Sequence, residues 1–380
     1  MNSSNKAGMA LVCTSALLFS SISFAVEPGF TASVAAGYTT DDNLFREASG
    51  SSDTFFTVSP DLRFVTAFGK HQLSAGYRGS YASYDKFTKE NYNDHLVNLD
   101  LLLDLSKAVN INLIADYSNE HESRGTSNVA TTGDVTLLDR NSVFAGFAFG
   151  ADTAKMQAEL DYKITNIDYT NNAQDARDRR VAAVGVRALY NVSSKTKVFV
   201  EAKENDFDYL NSTRDSTETL YHAGVRWDIT GKTTGEFKIG TYDKNFDAAT
   251  ETDGDGSSYS ASMIWSPKQH SRFTLFVEEA PQESNYADSF YTSQLSSLGW
   301  EHDFSDRFAL NVDLSSTTDE YSGGRKDDTT SAGLAVKYEF RRWLDFGLSY
   351  KNTDRDSSDN TLDYTDNLVM FTATLLRESK

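Results

Sequence analysis

The chain has 380 residues, of which 39% are hydrophobic and 12% aromatic, and its formal net charge at pH 7 is −19. The acidic balance argues against nucleic acid as a partner, because contacts to a phosphate backbone require basic patches. After the first residues, no stretch approaches the run of about eighteen apolar residues that a transmembrane helix requires, so the composition excludes a helical membrane protein.

The first 25 residues have the organisation of a secretory signal peptide. Lys6 is the only charged side chain before Glu27, an apolar run spans residues 9–19, and small residues occupy the two key positions of Ser23-Phe24-Ala25. This pattern predicts cleavage after Ala25; a membrane anchor, the alternative, would require about twenty apolar residues. Cys13, the single cysteine, lies in this segment, so the mature chain has no thiol and no disulfide.

Residues 95–122 show the pattern that recurs along the rest of the chain. Two runs of about ten residues alternate apolar and polar side chains, and a period of two is that of a β-strand. A recurring hairpin with one apolar face, and no helical segment to cover that face, is typical of a barrel surrounded by lipid. The apolar positions are Val97, Leu99, Leu101, Leu103 and Leu105 in the first run, then Val109, Ile111, Leu113, Ala115 and Tyr117 in the second.

Counting such runs along the chain predicts about eighteen strands. The fold class predicted for residues 26–376 is all-β, a single transmembrane antiparallel up-and-down barrel, with residues 377–380 as a short C-terminal tail. Connections of two to four residues alternate with longer polar ones, and the short connections are predicted to be periplasmic. The predicted strands lie near residues 29–39, 54–68, 71–84, 94–105, 109–121, 135–149, 154–168, 177–190, 196–208, 216–229, 233–246, 257–266, 270–283, 289–303, 307–320, 328–340, 344–355 and 362–376.

The large aromatic residues follow the same alternation of turns. Aromatic side chains prefer the two headgroup levels of a membrane, where a ring is half hydrated. The alternative is that these rings fill the core of a soluble sheet. Membrane-interface positions are predicted near the short turns for Trp227, Trp265, Trp300 and Trp343, and near the long loops for Tyr84, Tyr117, Tyr169, Tyr209, Tyr242 and Tyr321.

The polar faces of the strands predict an aqueous lumen. Eighteen strands enclose a space that side chains alone do not fill, and neither a plug domain nor a long inserted loop is visible, so the duct is predicted to be unobstructed by its own chain. Each charged wall residue either contacts a solute or only pairs with a neighbour of opposite charge. The predicted lumen-lining residues are Arg63, Arg78, Asp100, Asp116, Glu159, Asp161, Lys163, Arg187, Glu201, Lys203, His222, Arg226, Lys238, Arg272, Glu278, Asp313, Lys337 and Asp345.

The sequence offers few constellations for chemistry. His121, Glu122 and Ser123 are adjacent, and neighbouring strand residues point to opposite faces, which argues against a catalytic relay. The acidic runs 41–43 and 247–256 are interpreted first as polar loops and second as cation ligands, and the six histidines have no metal-binding spacing. We therefore expect no enzyme activity, no cofactor and no metal centre.

Three short motifs carry a resemblance to a known family. Asp42-Asn43 lies near the end of the first strand, Ser-Pro-Asp-Leu at 59–62 lies in the second, and Glu-Ser-Arg-Gly at 122–125 follows the fifth. Residues 38–125 resemble the beta-barrel porins of the second type, which are encoded with exopolysaccharide and capsule assembly systems. The resemblance implies a barrel in the Gram-negative outer membrane through which a polysaccharide leaves, coupled to a periplasmic polysaccharide-export protein.

Three functions follow for such a barrel. The first is export of an exopolysaccharide or capsular polysaccharide. The second is a passive porin for small solutes or oligosaccharides, which needs no partner. The third is a non-conducting structural or adhesive surface barrel. Expected partners are outer-membrane lipid and lipopolysaccharide and, for the first function, the polysaccharide cargo and its periplasmic export protein.

Overall fold

The computed structural model describes residues 28–125, 133–229, 231–284 and 288–379; the predicted signal peptide lies outside them. Three short 3-10 helices, Thr88–Glu90, Asp175–Arg177 and Asn360–Leu362, lie in connections. The strands are β1 Gly29–Asp41, β2 Asp53–Phe68, β3 His71–Tyr84, β4 Tyr92–Ser106, β5 Val109–His121, β6 Leu137–Phe149, β7 Met156–Tyr169, β8 Arg179–Ser193, β9 Thr196–Tyr209, β10 Ser216–Ile229, β11 Thr233–Phe246, β12 Gly254–Lys268, β13 Ser271–Glu283, β14 Phe290–Ser305, β15 Phe308–Tyr321, β16 Lys326–Arg341, β17 Leu344–Ser357 and β18 Tyr364–Ser379.

The eighteen strands form one closed antiparallel barrel. Each strand pairs with its sequence neighbours, and β1 also pairs with β18, from Phe30 opposite Ser379 to Asp41 opposite Leu368. The predicted fold class is confirmed, with every predicted strand present. The prediction of a tail at 377–380 is wrong for residues 377–379, because their backbone continues β18 and pairs with the start of β1.

The two ends of the barrel differ in the length of their connections. At the end that holds Gly29 and Ser379, turns of two to six residues join β2 to β3, β4 to β5 and so on around the wall. At the opposite end the connections have four to 15 residues and are longer on average; the longest spans residues 122–136. The two ends are called the short-turn end and the long-loop end below. No helix in the described ranges is long and apolar enough to cross a membrane.

Alternation along each strand separates an apolar outer face from a polar inner face. In β4 the exposed Val97, Leu99 and Leu105 share the outer face, and Asn98 and Asp100 point inward. Buried apolar clusters form instead inside the barrel at the long-loop end, where Leu44, Phe55, Ala82 and Tyr84 make one cluster and Leu138, Ile167 and Tyr169 another. Apolar packing therefore organises the mouth, while the wall below it presents apolar side chains outward.

Aromatic side chains form a band on the outer face at the short-turn end. The rings of Trp265 and Phe273 stack at 5.2 Å between centroids, and those of Phe273 and Trp300 at 6.0 Å. Trp343 is exposed in a short turn, and the ring of Trp227 lies against Gly235 on the neighbouring strand. All four tryptophans thus lie in the part of the barrel where interfacial rings were predicted.

The tyrosines near the long loops do not form the predicted outer girdle. Tyr84, Tyr169, Tyr209, Tyr242 and Tyr321 are each less than 10% exposed. Their positions in the strand alternation are those of inward residues, so the rings pack within the mouth. Three of them stack against guanidinium groups there, as with the Arg325 guanidinium 3.6 Å from the Tyr321 ring centroid. The interfacial interpretation is wrong for these five; Tyr117, 40% exposed, does face outward.

Candidate functional site: the lumen and its mouth

The strand alternation places all eighteen predicted lumen residues on the inner face. The structure brings six of them into one network, described next, and pairs Lys337 with Asp345 at 2.7 Å. Arg78 pairs with Asp61 and Arg272 with Glu301, while Asp116 accepts a hydrogen bond from a serine hydroxyl. Within the described residues, no ion pair is formed by Arg63, Asp100, Asp161, Lys163, Lys203, Glu278 or Asp313.

A dense set of ion pairs covers the inner wall from β7 to β11. Arg226 donates to Glu159 and to Glu236, each at 2.7 Å, and Arg187 donates to Glu236 at 3.1 Å and also to Glu201. Three carboxylates therefore face two guanidinium groups, one ammonium group and the imidazole of His222. All seven side chains are at most 22% exposed. This lumen charge network consists of Glu159, Arg187, Glu201, His222, Arg226, Glu236 and Lys238.

The strand register creates the network. Glu159 lies directly opposite Arg187, which lies opposite Glu201, which in turn lies opposite His222, so four neighbouring strands present one row of charged groups. Directly opposed side chains of unlike charge attract each other across a strand pair. The contact from Arg226 on β10 to Glu159 on β7 spans two intervening strands, so these long side chains reach into the lumen and occupy the part of it beside this wall. The network is a rigid inner wall rather than a set of free ligands.

Removing one arginine of the network should destabilise the barrel. In Arg226→Met the carboxylates of Glu159 and Glu236 lose charged donors in a poorly hydrated place, at a cost of about 1–3 kcal/mol in the free energy of unfolding. The matched control is Arg78→Met, because Arg78 and Asp61 are 55% and 39% exposed and such a pair contributes at most about 1 kcal/mol. Urea unfolding of refolded protein in lipid vesicles measures both; equal losses would contradict the structural role of the network.

The wall from β14 to β17 carries a group of small residues at inward positions in the middle of its strands. Their side chains extend less far into the lumen than the arginine and glutamate side chains of β7 to β11. We therefore expect the conducting space to lie nearer to this wall than to the lumen charge network. The small inward residues are Ser293, Ser297, Gly299, Ser315, Ser331, Gly333, Ala335, Gly347 and Ser349.

Near the long-loop end the β13–β14 hairpin separates from β12 and bends into the mouth, while β14 stays paired with β15. Pairing of β12 with β13 ends at Tyr259 opposite Glu279. Above that level β12 stays paired with β11 up to Gly254, and β13 stays paired with β14 up to Glu283. Residues 280–283 and their partners on β14 therefore separate from β12 as an intact two-stranded ribbon, called the inward hairpin.

Contacts across the mouth hold the inward hairpin in place. Glu283 accepts a hydrogen bond from the Tyr209 hydroxyl at 2.5 Å and pairs with the Lys244 ammonium at 2.6 Å. Tyr209 ends β9, and three strands lie between β9 and β13 in the wall. This contact therefore crosses part of the mouth and joins two strands that are not neighbours. Phe290 of the hairpin packs into an apolar cluster with Leu220, Tyr242 and Phe246, and its ring lies where a side chain at Gly254 would be.

The connection from β5 to β6 closes part of the mouth from the other side. The Arg124 guanidinium pairs with the buried Glu90 at 2.5 Å, and the Arg124 carbonyl accepts a hydrogen bond from Arg46. The Gly125 carbonyl accepts a hydrogen bond from Arg355 of β17 at 2.8 Å. Five strands separate β5 from β17 around the wall, so this segment also crosses the opening.

The prediction of an unobstructed duct is therefore wrong. The longest connection between the strands has 15 residues, between β5 and β6, and connections of this length do not by themselves predict a loop that enters the barrel. The structure obstructs the mouth with a short crossing loop and with the bent ends of two strands. A bent strand end extends into the mouth without lengthening the loop that follows it, so loop length alone does not predict this obstruction.

Sequence reasoning also missed several charged residues that hold this architecture. Glu236 has the same strand parity as the predicted Lys238, so alternation could have found it. Lys244, whose side chain has no exposed surface, lies on the polar face that alternation assigns to the lumen, but its partner Glu283 lies on a strand that is not adjacent. Asp327, which accepts hydrogen bonds from Arg355 and from a serine hydroxyl, is likewise buried. No local pattern predicts the contact between Lys244 and Glu283, because it depends on how the ends of β13 and β14 bend.

Comparison with known proteins identifies the family of this barrel. The model of a family described as "Putative beta-barrel porin 2" matches residues 23–377. The chain belongs to this family. Porins of this type are transport channels of the Gram-negative outer membrane rather than enzymes, and the protein lies in that membrane. In such barrels the short turns are periplasmic and the longer loops extracellular, so the inward hairpin lies at the extracellular mouth.

Solved structures show the same fold at low sequence identity. A BenF-like porin from Pseudomonas fluorescens Pf-5 is 9% identical, with a TM-score of 0.51 over 92% of this chain and 99% of that one. OccK9 (OpdG) from Pseudomonas aeruginosa is 10% identical, with a TM-score of 0.50 over 92% and 99% of the two chains. No curated protein matches the chain. Identities this low establish a shared barrel fold and nothing about the solute.

Proposed function

We propose that the protein is a passive channel for small hydrophilic solutes. The observation that carries the proposal is the hydrogen bond from Tyr209 to Glu283, which ties the inward hairpin across the extracellular mouth. A mouth narrowed by its own chain admits small solutes through the remaining space. A polysaccharide strand would need the hairpin and the crossing loop to move aside, which requires breaking buried ion pairs.

The lumen supports passive passage of neutral solutes and of both ion classes. Among the described residues, the inner wall holds basic side chains without an ion pair, such as Arg63, Lys163 and Lys203, and acidic ones, such as Asp161 and Asp313. Their charges offset each other, and the charges of the lumen charge network are engaged within it. A channel lined in this way discriminates by size more than by charge. The family of this chain and the BenF-like structure are both described as porins, which agrees with this function.

Deletion of the gene distinguishes this function from polysaccharide export. The proposal predicts that a deletion strain keeps its full amount of surface and secreted polysaccharide, measured by sugar analysis, and takes up small hydrophilic solutes more slowly at low external concentration. Complementation with the wild-type gene should restore uptake. Loss of secreted polymer with polymer retained in the periplasm would overturn the proposal in favour of export.

A further inference from the structure

Three carboxylates meet at the long-loop end of the seam between the first and last strands. Asp41 is the last residue of β1, Asp42 follows it, and Asp366 lies on β18. Each residue offers one oxygen to a group in which all three atoms lie within 4.8 Å of one another. Like charges at this separation repel strongly where water is scarce, so the cluster requires a compensating positive charge.

Asp366 is compensated only in part, by one arginine. Its side chain has no exposed surface, and neither carboxylate oxygen has a hydrogen-bond partner among the described residues. The closest cation is Arg46, whose Nε lies 3.6 Å from Asp366 Oδ2, and that guanidinium also donates to the Arg124 carbonyl. One arginine thus faces three carboxylates. A buried carboxylate is costly unless it is paired and hydrogen-bonded or coordinates a metal.

The other two carboxylates are held in fixed orientations and leave an open approach. Asp42 accepts hydrogen bonds from the backbone and side-chain amides of Asn367, at 2.7 and 2.8 Å. One oxygen of Asp41 accepts from the backbone N–H of Asn43 at 2.8 Å. Asp41 and Asp366 are buried while Asp42 is exposed, so an ion from the external medium reaches the cluster past Asp42.

We propose that Asp41, Asp42 and Asp366 bind a Ca²⁺ ion. Ca²⁺ takes oxygen ligands at about 2.3–2.6 Å in flexible geometry, so oxygens on opposite sides of the ion are about 4.6–5.2 Å apart, which suits this cluster. The ion supplies the remaining positive charge that the cluster requires, and water completes its coordination. Since the ligands come from both sides of the β1–β18 seam, the bound ion clamps the barrel at the place where its first and last strands join.

Calcium binding by refolded protein tests the proposal. The protein is refolded in detergent without lipopolysaccharide, treated with EDTA, and titrated with Ca²⁺ in equilibrium dialysis in the presence of excess Mg²⁺. Wild type should bind one more Ca²⁺ per chain than Asp366→Asn. The matched control is Asp255→Asn, which removes an exposed carboxylate at the same end of the barrel and should bind as wild type does. Equal binding by wild type and Asp366→Asn would overturn the proposal, as would displacement of the ion by Mg²⁺.

Unfolding temperature gives a second readout that a purely structural aspartate would not reproduce. Ca²⁺ should raise the midpoint of wild type and of Asp255→Asn and leave that of Asp366→Asn unchanged. In EDTA, Asp366→Asn should be at least as stable as wild type, because it relieves the repulsion among the carboxylates. The proposal fails if Asp366→Asn unfolds at a lower temperature than wild type in EDTA and Ca²⁺ changes the unfolding temperature of neither protein. Asp366 would then act only as the ion-pair partner of Arg46. Asp41→Asn, checked for folding by heat-modifiable gel mobility, should lose the Ca²⁺ response in the same way.

Discussion

Replacement of residues 280–293 by an Asn-Gly turn should raise the single-channel conductance severalfold. This change removes the inward hairpin, which crosses the extracellular mouth. The new turn joins Glu279 to Gln294, which are paired opposite each other, and Asn-Gly is the preferred two-residue connection between paired strands. Because Glu279 is also the last β13 residue paired to β12, the wall below the turn keeps its hydrogen bonds. The measurement is current through the purified protein in planar lipid bilayers.

A second shortened loop serves as the control for this deletion. The 358–363 connection hydrogen-bonds only within itself and to the neighbouring strands β16 and β17, so shortening it to Asn-Gly-Gly leaves the mouth as it is. Its conductance should equal that of wild type. An unchanged conductance after removal of the inward hairpin, in a variant that still shows heat-modifiable mobility, would show that the mouth does not limit the current.

Gly333→Trp should sharply reduce the conductance. Gly333 points inward from β16, among small residues on the side of the lumen where we expect the conducting space. The atoms closest to a Cβ placed there, both of Asp313, are 3.8 Å away, so the backbone tolerates a side chain and the indole ring must extend into the lumen. If this space is the conducting path, one large ring in it narrows the path directly. Bilayer conductance of the variant measures the effect.

Gly185→Trp is the matched control. Gly185 also points inward, from β8, and a Cβ there has its closest contact at 3.7 Å, with Asp161. The site lies next to the lumen charge network, in the part of the lumen that its long side chains occupy. Gly185→Trp should reduce the conductance much less than Gly333→Trp. A larger loss at Gly185 would place the conducting path along β7–β11 and contradict an off-centre channel.

The wall of the barrel could be predicted from the sequence because each strand carries its own signal. Period-two alternation depends on residues two positions apart, so runs such as Val97 to Leu105 identify a strand and its outer face without knowledge of its neighbours. The same parity places Lys238 and Arg226 inward. The same parity argues against an outer girdle, because Tyr209 and Tyr242 share the parity of the inward Lys203 and Lys244.

The mouth could not be predicted, because its decisive contacts join distant strands. Pro281, which has no N–H to donate, is a local sign that β13 loses a partner there, but it does not show that the freed ribbon bends into the mouth. The pair formed by Lys244 and Glu283 exists only once the ribbon has bent. Likewise, the meeting of Asp41 with Asp366 follows from closure of the barrel, which brings together residues more than 300 positions apart.

Liposome swelling with purified protein tests the proposed function most directly. Vesicles containing only this protein are diluted into isotonic solutions of sugars of increasing size, from monosaccharide to tetrasaccharide, and the swelling rate is followed by light scattering. The account predicts rapid entry of monosaccharides, progressively slower entry of larger sugars, and no requirement for a periplasmic partner. Absence of swelling with monosaccharides, from protein that shows the folded mobility, would contradict a passive channel for small solutes.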